Sequence, residues 1–228
     1  MMRRNIALIP AAGVGARFGA GKPKQYVEIN GKTVLQHTIE IFEQHPRIDL
    51  IAVILSPEDS VFQTALSEKV RVFRVGGASR AETVRNGVSV LLEQGLAEAQ
   101  DNILVHDAAR CYLPVEALTR LLNEAGENDE GGILAIPVAD TLKRADGSHH
   151  IDETVARAGL WQAQTPQLFQ TALLHHALSV DDLSEITDEA SAVEKLGIRP
   201  RLVQGDTRNL KLTLPQDEYI VRLLLKAV

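Results

Sequence analysis

Short apolar runs alternate with helical patterns along most of the chain. The runs are typical of strands that are buried on both faces of a sheet, and they cover residues 6–9, 51–55, 70–75, 103–105 and 133–136, with a weaker run at 202–203. Between them, apolar residues recur at helical spacing in residues 34–42, 84–92 and 118–122. This alternation predicts an α/β fold: a single Rossmann-like, mostly parallel twisted sheet with helices on both faces.

The alternation breaks near residue 139, where the chain becomes polar. Two short alternating stretches, 141–144 and 151–155, lie on either side of Asp146 and Gly147, a pattern typical of a β-hairpin. Because an isolated hairpin is marginally stable in water, we expect residues 139–156 to be a projecting β-arm that is used in dimerisation. Residues 1–228 as a whole are predicted to be one domain, closed by a helix after Pro215.

Composition excludes several classes of protein. The 228 residues are 45% hydrophobic and 24% charged, as in a globular domain. The net charge of −6 repels polyanions, so we expect no nucleic-acid partner. An apolar N-terminal stretch after Arg3 and Arg4 imitates a short signal peptide, but Pro10 and glycines interrupt it. We therefore expect a cytoplasmic protein without a membrane partner, and the single Cys111 permits no intrachain disulfide.

The loop after the first predicted strand is rich in glycine, which favours close approach of a phosphate to backbone N–H groups. It does not match the dinucleotide fingerprint, because the third glycine position after Gly13 and Gly15 is Phe18. It does not match a Walker A loop either, because Pro23 follows Lys22 where Ser or Thr is required. The loop therefore belongs to neither of these phosphate-binding classes.

Two basic residues, Arg17 and Lys24, accompany these glycines. Fixed positive charge beside a backbone cradle suits a triphosphate, since phosphoryl and nucleotidyl transfer depend on positioning and charge stabilisation. The alternative is an ordinary solvated loop whose basic residues only keep it soluble. Spacing alone leaves both interpretations open.

A series of motifs spans nearly the whole chain. They are PAAGVGARFG and KPKQY within residues 10–26, GGASRAETV at 76–84, VHDAAR at 105–110, PVADTLKR at 137–144, the segment 157–167, TDEA at 187–190 and NLKLT at 209–213. In this order they resemble the signature of nucleotidyltransferases that activate sugar or polyol phosphates. Within that group they closely resemble the 2-C-methyl-D-erythritol 4-phosphate cytidylyltransferase family.

The resemblance implies transfer of CMP from CTP to 2-C-methyl-D-erythritol 4-phosphate in a homodimer whose arms complete the active sites. It implies that Arg17 and Lys24 stabilise charge in the transition state and that Asp107 holds Mg²⁺. Asp107 follows a predicted strand, where a ligand of such a sheet is expected, and a carboxylate with phosphate oxygens suits Mg²⁺. On sequence alone, a helix N-cap at Asp107 is an equal alternative.

The remaining site residues also follow from the resemblance. Those assigned to the nucleotide are Ala11, Ala12, Gly13, Gly77, Ala78, Thr83, Asp107 and Lys211. Those assigned to the polyol phosphate are Asp107, Arg110, Thr141, Arg157, Thr187 and Lys211, with Thr141 and Arg157 reaching the partner subunit's site. The chain departs from the family pattern at Ala78, where an acidic residue is frequent, and at Cys111, where proline is usual.

Three other functions would use parts of the same sequence pattern. Ribitol 5-phosphate cytidylyltransferases share much of this signature and differ in the acceptor. A nicotinamide-dependent oxidoreductase would use a similar sheet, but Phe18 argues against it. A nucleotide-binding module without catalysis would use the same loop with no reaction to follow.

Overall fold

The computed structural model describes residues 3–13, 23–63 and 67–226. The strands are β1 (Asn5–Pro10), β2 (Glu28–Ile29), β3 (Lys32–Thr33), β4 (Leu50–Ile54), β5 (Val70–Phe73), β6 (Asn102–Val105), β7 (Gly132–Pro137), β8 (Leu142–Ala145), β9 (Ile151–Val155), β10 (Trp161–Gln170) and β11 (Arg201–Gln204). The α-helices are α1 (Val34–Gln44), α2 (Arg80–Glu93), α3 (Val115–Ala125), α4 (Thr171–Leu178), α5 (Glu189–Glu194) and α6 (Asp217–Leu224), and a 3-10 helix covers Lys24–Tyr26.

The central sheet has seven strands in the order β11-β7-β10-β6-β1-β4-β5. Every neighbouring pair is parallel except the two pairs that β10 makes, with β6 and with β7. Residues of α1 and α3 belong to the apolar cluster on one face, and residues of α2, α4 and α5 belong to the cluster on the other. The predicted α/β fold with a mostly parallel sheet is therefore confirmed.

Strand β10 is the main element that the hydrophobic pattern did not predict. Its sequence, WQAQTPQLFQ, contains glutamines and a proline, which argue against a central strand. The pairing with β7 shifts register between Ala163 and Gln167, and the Thr165–Pro166 peptide bond within this interval is cis. The irregularity accommodates Pro166 inside the sheet, where a regular ladder would need its N–H.

The predicted hairpin is present as the antiparallel pair β8 and β9, which forms a sheet of its own. Its side chains are mostly exposed, and Ile151 is 66% exposed. Close to its base, Leu160 and Trp161 are also exposed, at 39% and 38%. No helix of the described residues is long and apolar enough to cross a membrane.

Candidate active site

A cavity of about 450 Å³ opens where β1 and β6 end side by side. In the sheet, β1 lies between β4 and β6. The chain runs from β1 to β4 and then β5 on one side of β1, and after α2 it crosses to β6 on the other side. The two strands thus flank the switch point in strand order, the usual ligand position in an open α/β sheet. Both strands are fully or largely buried, so they fix the positions of the loops that follow them.

The wall after β1 is formed by Pro10, Ala11, Ala12 and Gly13. The side-chain amide of Gln25, which is buried, donates hydrogen bonds to the carbonyl oxygens of Ala11 (3.0 Å) and Gly13 (2.8 Å). Lys24, at the start of the same 3-10 helix, also lines the cavity. The KPKQY motif therefore contributes both a cation and the group that holds the preceding loop.

The opposite wall consists of Gly77, Ala78, Ser79, Arg80 and Thr83. The loop leading to it lies so close to the loop after β1 and to the end of β4 that a Cβ at Gly76 would meet the Ala12 methyl group and lie 2.7 Å from the Leu55 carbonyl oxygen. The Gly77 N–H donates to the Thr83 hydroxyl (3.1 Å), which donates to the Ser79 carbonyl (2.9 Å). Thr83 thus fixes the shape of this wall.

Asp107 lies at the base of the cavity among three cations. Its carboxylate oxygens are 2.9 Å from Arg80 Nε, 2.9 Å from Lys211 Nζ and 3.5 Å from Arg110 Nε. Burial raises the pKa of Asp107, but Arg80 and Lys211 outweigh this and hold the pKa well below its usual range. The side chain is therefore a carboxylate at neutral pH. It caps no helix, because α3 begins at Val115 after Pro114.

Arg80 extends the cluster to a second carboxylate, Glu189. Its Nη1 and Nη2 atoms donate to Glu189 Oε1 (2.6 Å) and Oε2 (3.1 Å), and the Glu189 side chain is 1% exposed. The GGASRAETV motif includes Arg80, but sequence reasoning gave neither residue a role. The pairing joins the first residues of α2 and α5, which lie far apart in the sequence.

A smaller cavity of about 210 Å³ adjoins the first and shares Arg80, Asp107 and Lys211 with it. The other predicted site residues that line this smaller cavity are Arg110 and Thr187. Arg110 Nη1 donates to the Asn209 carbonyl (2.6 Å), whereas its buried Nε has no hydrogen-bond partner in the described part of the chain. The lining combines three cations, Arg80, Arg110 and Lys211, with the carboxylates of Asp107 and Asp188, and the cations suit an anionic group.

Two buried residues that sequence reasoning did not assign to the site, Thr165 and His106, contact the backbone of Asp107 and Arg110. The Thr165 hydroxyl accepts a hydrogen bond from the Asp107 N–H (3.1 Å) and contacts His106 Nδ1 (3.1 Å). His106 is fully buried with its Nε2 atom 2.9 Å from the Arg110 carbonyl oxygen. Burial lowers the pKa of His106 to about 4, so its ring is neutral at physiological pH.

The structure brings most of the predicted residues together. Those that line one or both cavities are Ala11, Ala12, Gly13, Lys24, Gly77, Ala78, Thr83, Asp107, Arg110, Thr187 and Lys211. Thr141 and Arg157 are exposed beside the arm and line neither cavity. Arg17 lies outside the described residues. Cys111 is buried, and burial raises the pKa of its thiol to about 12, so it is a poor nucleophile.

A switch-point cavity with clustered cations on an α/β sheet is typical of domains that bind phosphorylated ligands. Comparison with known proteins identifies the particular family. The family model described as IspD, 2-C-methyl-D-erythritol 4-phosphate cytidylyltransferase, matches residues 5–227. The chain belongs to this family.

Individual relatives agree. A 2-C-methyl-D-erythritol 4-phosphate cytidylyltransferase of Neisseria meningitidis serogroup C is 70% identical, with 100% of each chain covered. The protein of the same name from Chromobacterium violaceum is 50% identical over 97% of this chain and 98% of its own. A crystal structure of a 4-diphosphocytidyl-2C-methyl-D-erythritol synthase has a TM-score of 0.89 at 64% identity, covering 99% of this chain and 100% of its own. The Francisella tularensis enzyme has a TM-score of 0.82 at 32% identity, with 97% and 99% covered.

Proposed function

We propose that the two adjoining cavities are the active site for transfer of CMP from CTP to 2-C-methyl-D-erythritol 4-phosphate. The products are 4-diphosphocytidyl-2-C-methyl-D-erythritol and pyrophosphate, within the non-mevalonate route to isoprenoid precursors. The observation that carries the proposal is the shared boundary of the cavities, which Arg80, Asp107 and Lys211 line from both sides. Two anionic substrates can meet there.

The reaction needs no activated side chain, because the phosphate of the acceptor is itself the nucleophile. Its oxygen attacks the α-phosphorus of CTP, the bond to the β-phosphate oxygen breaks, and pyrophosphate leaves with that electron pair. Negative charge builds up on the phosphoryl oxygens and on the leaving group. Arg17 and Lys24 are proposed to stabilise this charge, and the position of Lys24 in the first cavity supports its role.

The nucleotide is assigned to the first cavity, against Ala11, Ala12, Gly13, Gly77, Ala78 and Thr83. Selection of cytosine over uracil requires acceptors that face the exocyclic amine, and backbone carbonyls supply them. The Ala11 carbonyl, which Gln25 already holds, retains a second lone pair for this purpose. Ala78 has no acidic side chain of its own, and its N–H donates a hydrogen bond to the Glu82 carboxylate (2.7 Å).

The acceptor phosphate is assigned to the second cavity, with Arg110, Thr187 and Lys211 as its partners. The position of Arg110 in the lining of this cavity supports the assignment, because guanidinium groups bind phosphate well. We further propose that Thr141 and Arg157 bind the acceptor in the partner subunit, through arm exchange in a homodimer. The exposure of both residues and of the nearby Leu160 and Trp161 supports this part of the proposal.

Asp107 is the residue proposed to hold Mg²⁺. The described residues contain no group of three or more His, Cys, Asp or Glu that could hold a metal ion. The donor set instead fits Mg²⁺, which is commonly bound by one or two carboxylates together with substrate phosphates. When bound, Mg²⁺ would neutralise part of the charge on the triphosphate. Arg80 and Lys211 keep the carboxylate ionised, but each of them pairs with one of its two oxygens, so one of these cations would have to move to admit Mg²⁺.

Pyrophosphate release tests the proposal directly. The protein should release pyrophosphate from CTP only in the presence of 2-C-methyl-D-erythritol 4-phosphate, and chelation of Mg²⁺ should abolish the reaction. UTP and ribitol 5-phosphate are the matched alternatives, and turnover with ribitol 5-phosphate alone would reassign the acceptor. CTP binding without turnover would indicate a nucleotide-binding module instead.

A comparison of Lys24→Ala, in the cavity, with Lys32→Ala, outside it, tests whether the cavity is the site of the reaction. Lys24→Ala should lower kcat by about 100-fold, because one charge-stabilising group is worth roughly 3 kcal/mol in the transition state. Lys32→Ala, which removes an exposed lysine paired with Glu40, should leave the rate unchanged. Equal rates for both variants would contradict the assignment of the cavity.

A further inference from the structure

The buried carboxylate of Glu189 has no place in the chemistry described above. It is 1% exposed, and its two oxygens accept hydrogen bonds from the two terminal nitrogens of Arg80. A fully buried carboxylate is costly unless it is paired in good geometry. This two-point contact supplies that geometry, and it fixes the plane of the guanidinium group as well as its position.

The third nitrogen of Arg80, Nε, donates to Asp107 Oδ1 at 2.9 Å. Arg80 therefore binds Glu189 through its two terminal nitrogens and the carboxylate proposed to hold Mg²⁺ through Nε. It also lines both cavities. A change in the orientation of this guanidinium would move Asp107 and reshape the boundary at which the two substrates meet.

Glu189 is itself firmly placed. The preceding residue, Asp188, caps α5 by accepting from the Ser191 N–H (2.9 Å), and its other oxygen accepts from the Gln167 side chain (2.9 Å). Gln167 also accepts a hydrogen bond from the Ala190 N–H (2.8 Å). These contacts join the start of α5 to β10, so Glu189 is a fixed reference point for Arg80.

We infer that Glu189 is a positioning residue for CMP transfer: its carboxylate holds Arg80 across the boundary of the two cavities, and Arg80 in turn orients Asp107. The inference rests on the proposed function of these cavities. It assigns Glu189 no contact with either substrate. Without its charge, Arg80 would lose its buried carboxylate partner and would lie beside Arg110 and Lys211 with Asp107 as its remaining anionic partner.

The test is Glu189→Gln, which keeps the size of the side chain and removes its charge. We expect kcat to fall by about 10- to 100-fold, because small misplacements in a reacting assembly have effects of this size. The KM values for CTP and for the acceptor should each change by less than about threefold, since no substrate contact is removed. Glu185→Gln is the matched control, because it removes the exposed Lys195 pair from the same region, and its kcat should equal that of the unaltered protein.

A purely structural role would lower the melting temperature and leave the kcat of the folded protein unchanged, and this result would overturn the inference. A rise in either KM at unchanged kcat would also overturn it. If Glu189→Gln does not fold, Arg80→Lys decides, because lysine keeps the charge but cannot contact both carboxylates in the same geometry. Unchanged kcat in Arg80→Lys would contradict the inference.

A double variant separates action through Arg80 from any other effect. In an Arg80→Gln background, Glu189→Gln should lower kcat by less than about twofold further, since coupled residues are not additive. A full additional loss would show that Glu189 acts independently of Arg80. Failure of the proposed function is distinguishable, because the unaltered protein would then release no pyrophosphate.

Discussion

The cavity and the β-arm contain the same kinds of charged side chain in opposite surroundings. At the cavity, Asp107 in its lining and the more deeply buried Glu189 have side chains that are 9% and 1% exposed, and both pair with Arg80. On the arm, Arg144 and Glu153 pair at 2.6 Å while both remain more than half exposed, at 60% and 54%. Similar distances therefore have different consequences, because burial makes an ion pair fix geometry whereas solvent screens it.

The comparison also separates two ways of supplying cations. Lys24, Arg110 and Lys211 converge on the cavities within one chain, although they are scattered in sequence. Arg157 is exposed near the arm and reaches such a site, on our proposal, only in a second copy of the chain. The net charge of −6 thus conceals a local concentration of positive charge that suits anionic substrates.

The largest effect is expected for Asp107→Asn. The change removes the proposed Mg²⁺ ligand and leaves Arg80, Arg110 and Lys211 without their shared carboxylate. We expect kcat/KM to fall by about 1,000-fold, or roughly 4 kcal/mol. Steady-state pyrophosphate release measures it. Asp181→Asn, an exposed position, is the control, and a loss of less than tenfold at Asp107 would contradict its central role.

A second experiment tests whether the arm completes a neighbouring site. Arg157→Ala and Lys211→Ala should each lower kcat by about 100-fold. If the arms are exchanged, mixed dimers of the two variants contain one intact site. An equal mixture that is allowed to exchange subunits should therefore recover about a quarter of the original activity.

Recovery should follow the formation of mixed dimers, which can be measured with differently tagged chains. If Arg157 acts within its own chain, mixing restores nothing, because neither chain then contains a complete site. Unmixed samples of each variant at the same total concentration are the control. No recovery in verified mixed dimers would contradict arm exchange.

Sequence reasoning predicted the elements with a clear period more successfully than the irregular ones. The apolar runs gave β1 and β4 to β7 almost to their ends, because strands buried on both faces, as all of these except the edge strand β5 largely are, have a continuous apolar signal. Strand β10 was missed because its glutamines and Pro166 lack that signal. Its place in the sheet depends on pairing with β6 and β7, which local sequence does not encode.

Some residues of the candidate site were likewise predicted from the sequence, whereas one of its contacts was not. Asp107, Arg110 and Lys211 were identified because motifs contain them, and the structure places Arg110 and Lys211 within ion-pair distance of Asp107. The Arg80–Glu189 contact was missed because no local pattern relates residues separated by 109 positions. A signal was available in retrospect, since both residues occur within motifs and have opposite charge.

A smaller effect is expected for Thr165→Val, compared with Thr154→Val on the arm. Thr165 is buried and its hydroxyl accepts from the Asp107 N–H, so its loss leaves a buried donor unsatisfied, at a cost of about 1–3 kcal/mol. The exposed Thr154 hydroxyl accepts from Lys143, and water replaces it at a cost within about 0.5 kcal/mol. Denaturant unfolding of both variants measures the difference, and equal values would contradict it.

The smallest effect is expected for Glu153→Gln on the arm. Its pair with Arg144 is short but exposed, so we expect the free energy of unfolding to fall by less than about 0.5 kcal/mol, and by less still at high salt. Denaturant titrations at two salt concentrations check this. A loss above about 1 kcal/mol that persists in high salt would mean that this face of the arm is covered in solution. The contrast between a buried and a solvated ion pair would then fail, because a partner subunit would shield the arm's charges as the fold shields those of the cavity.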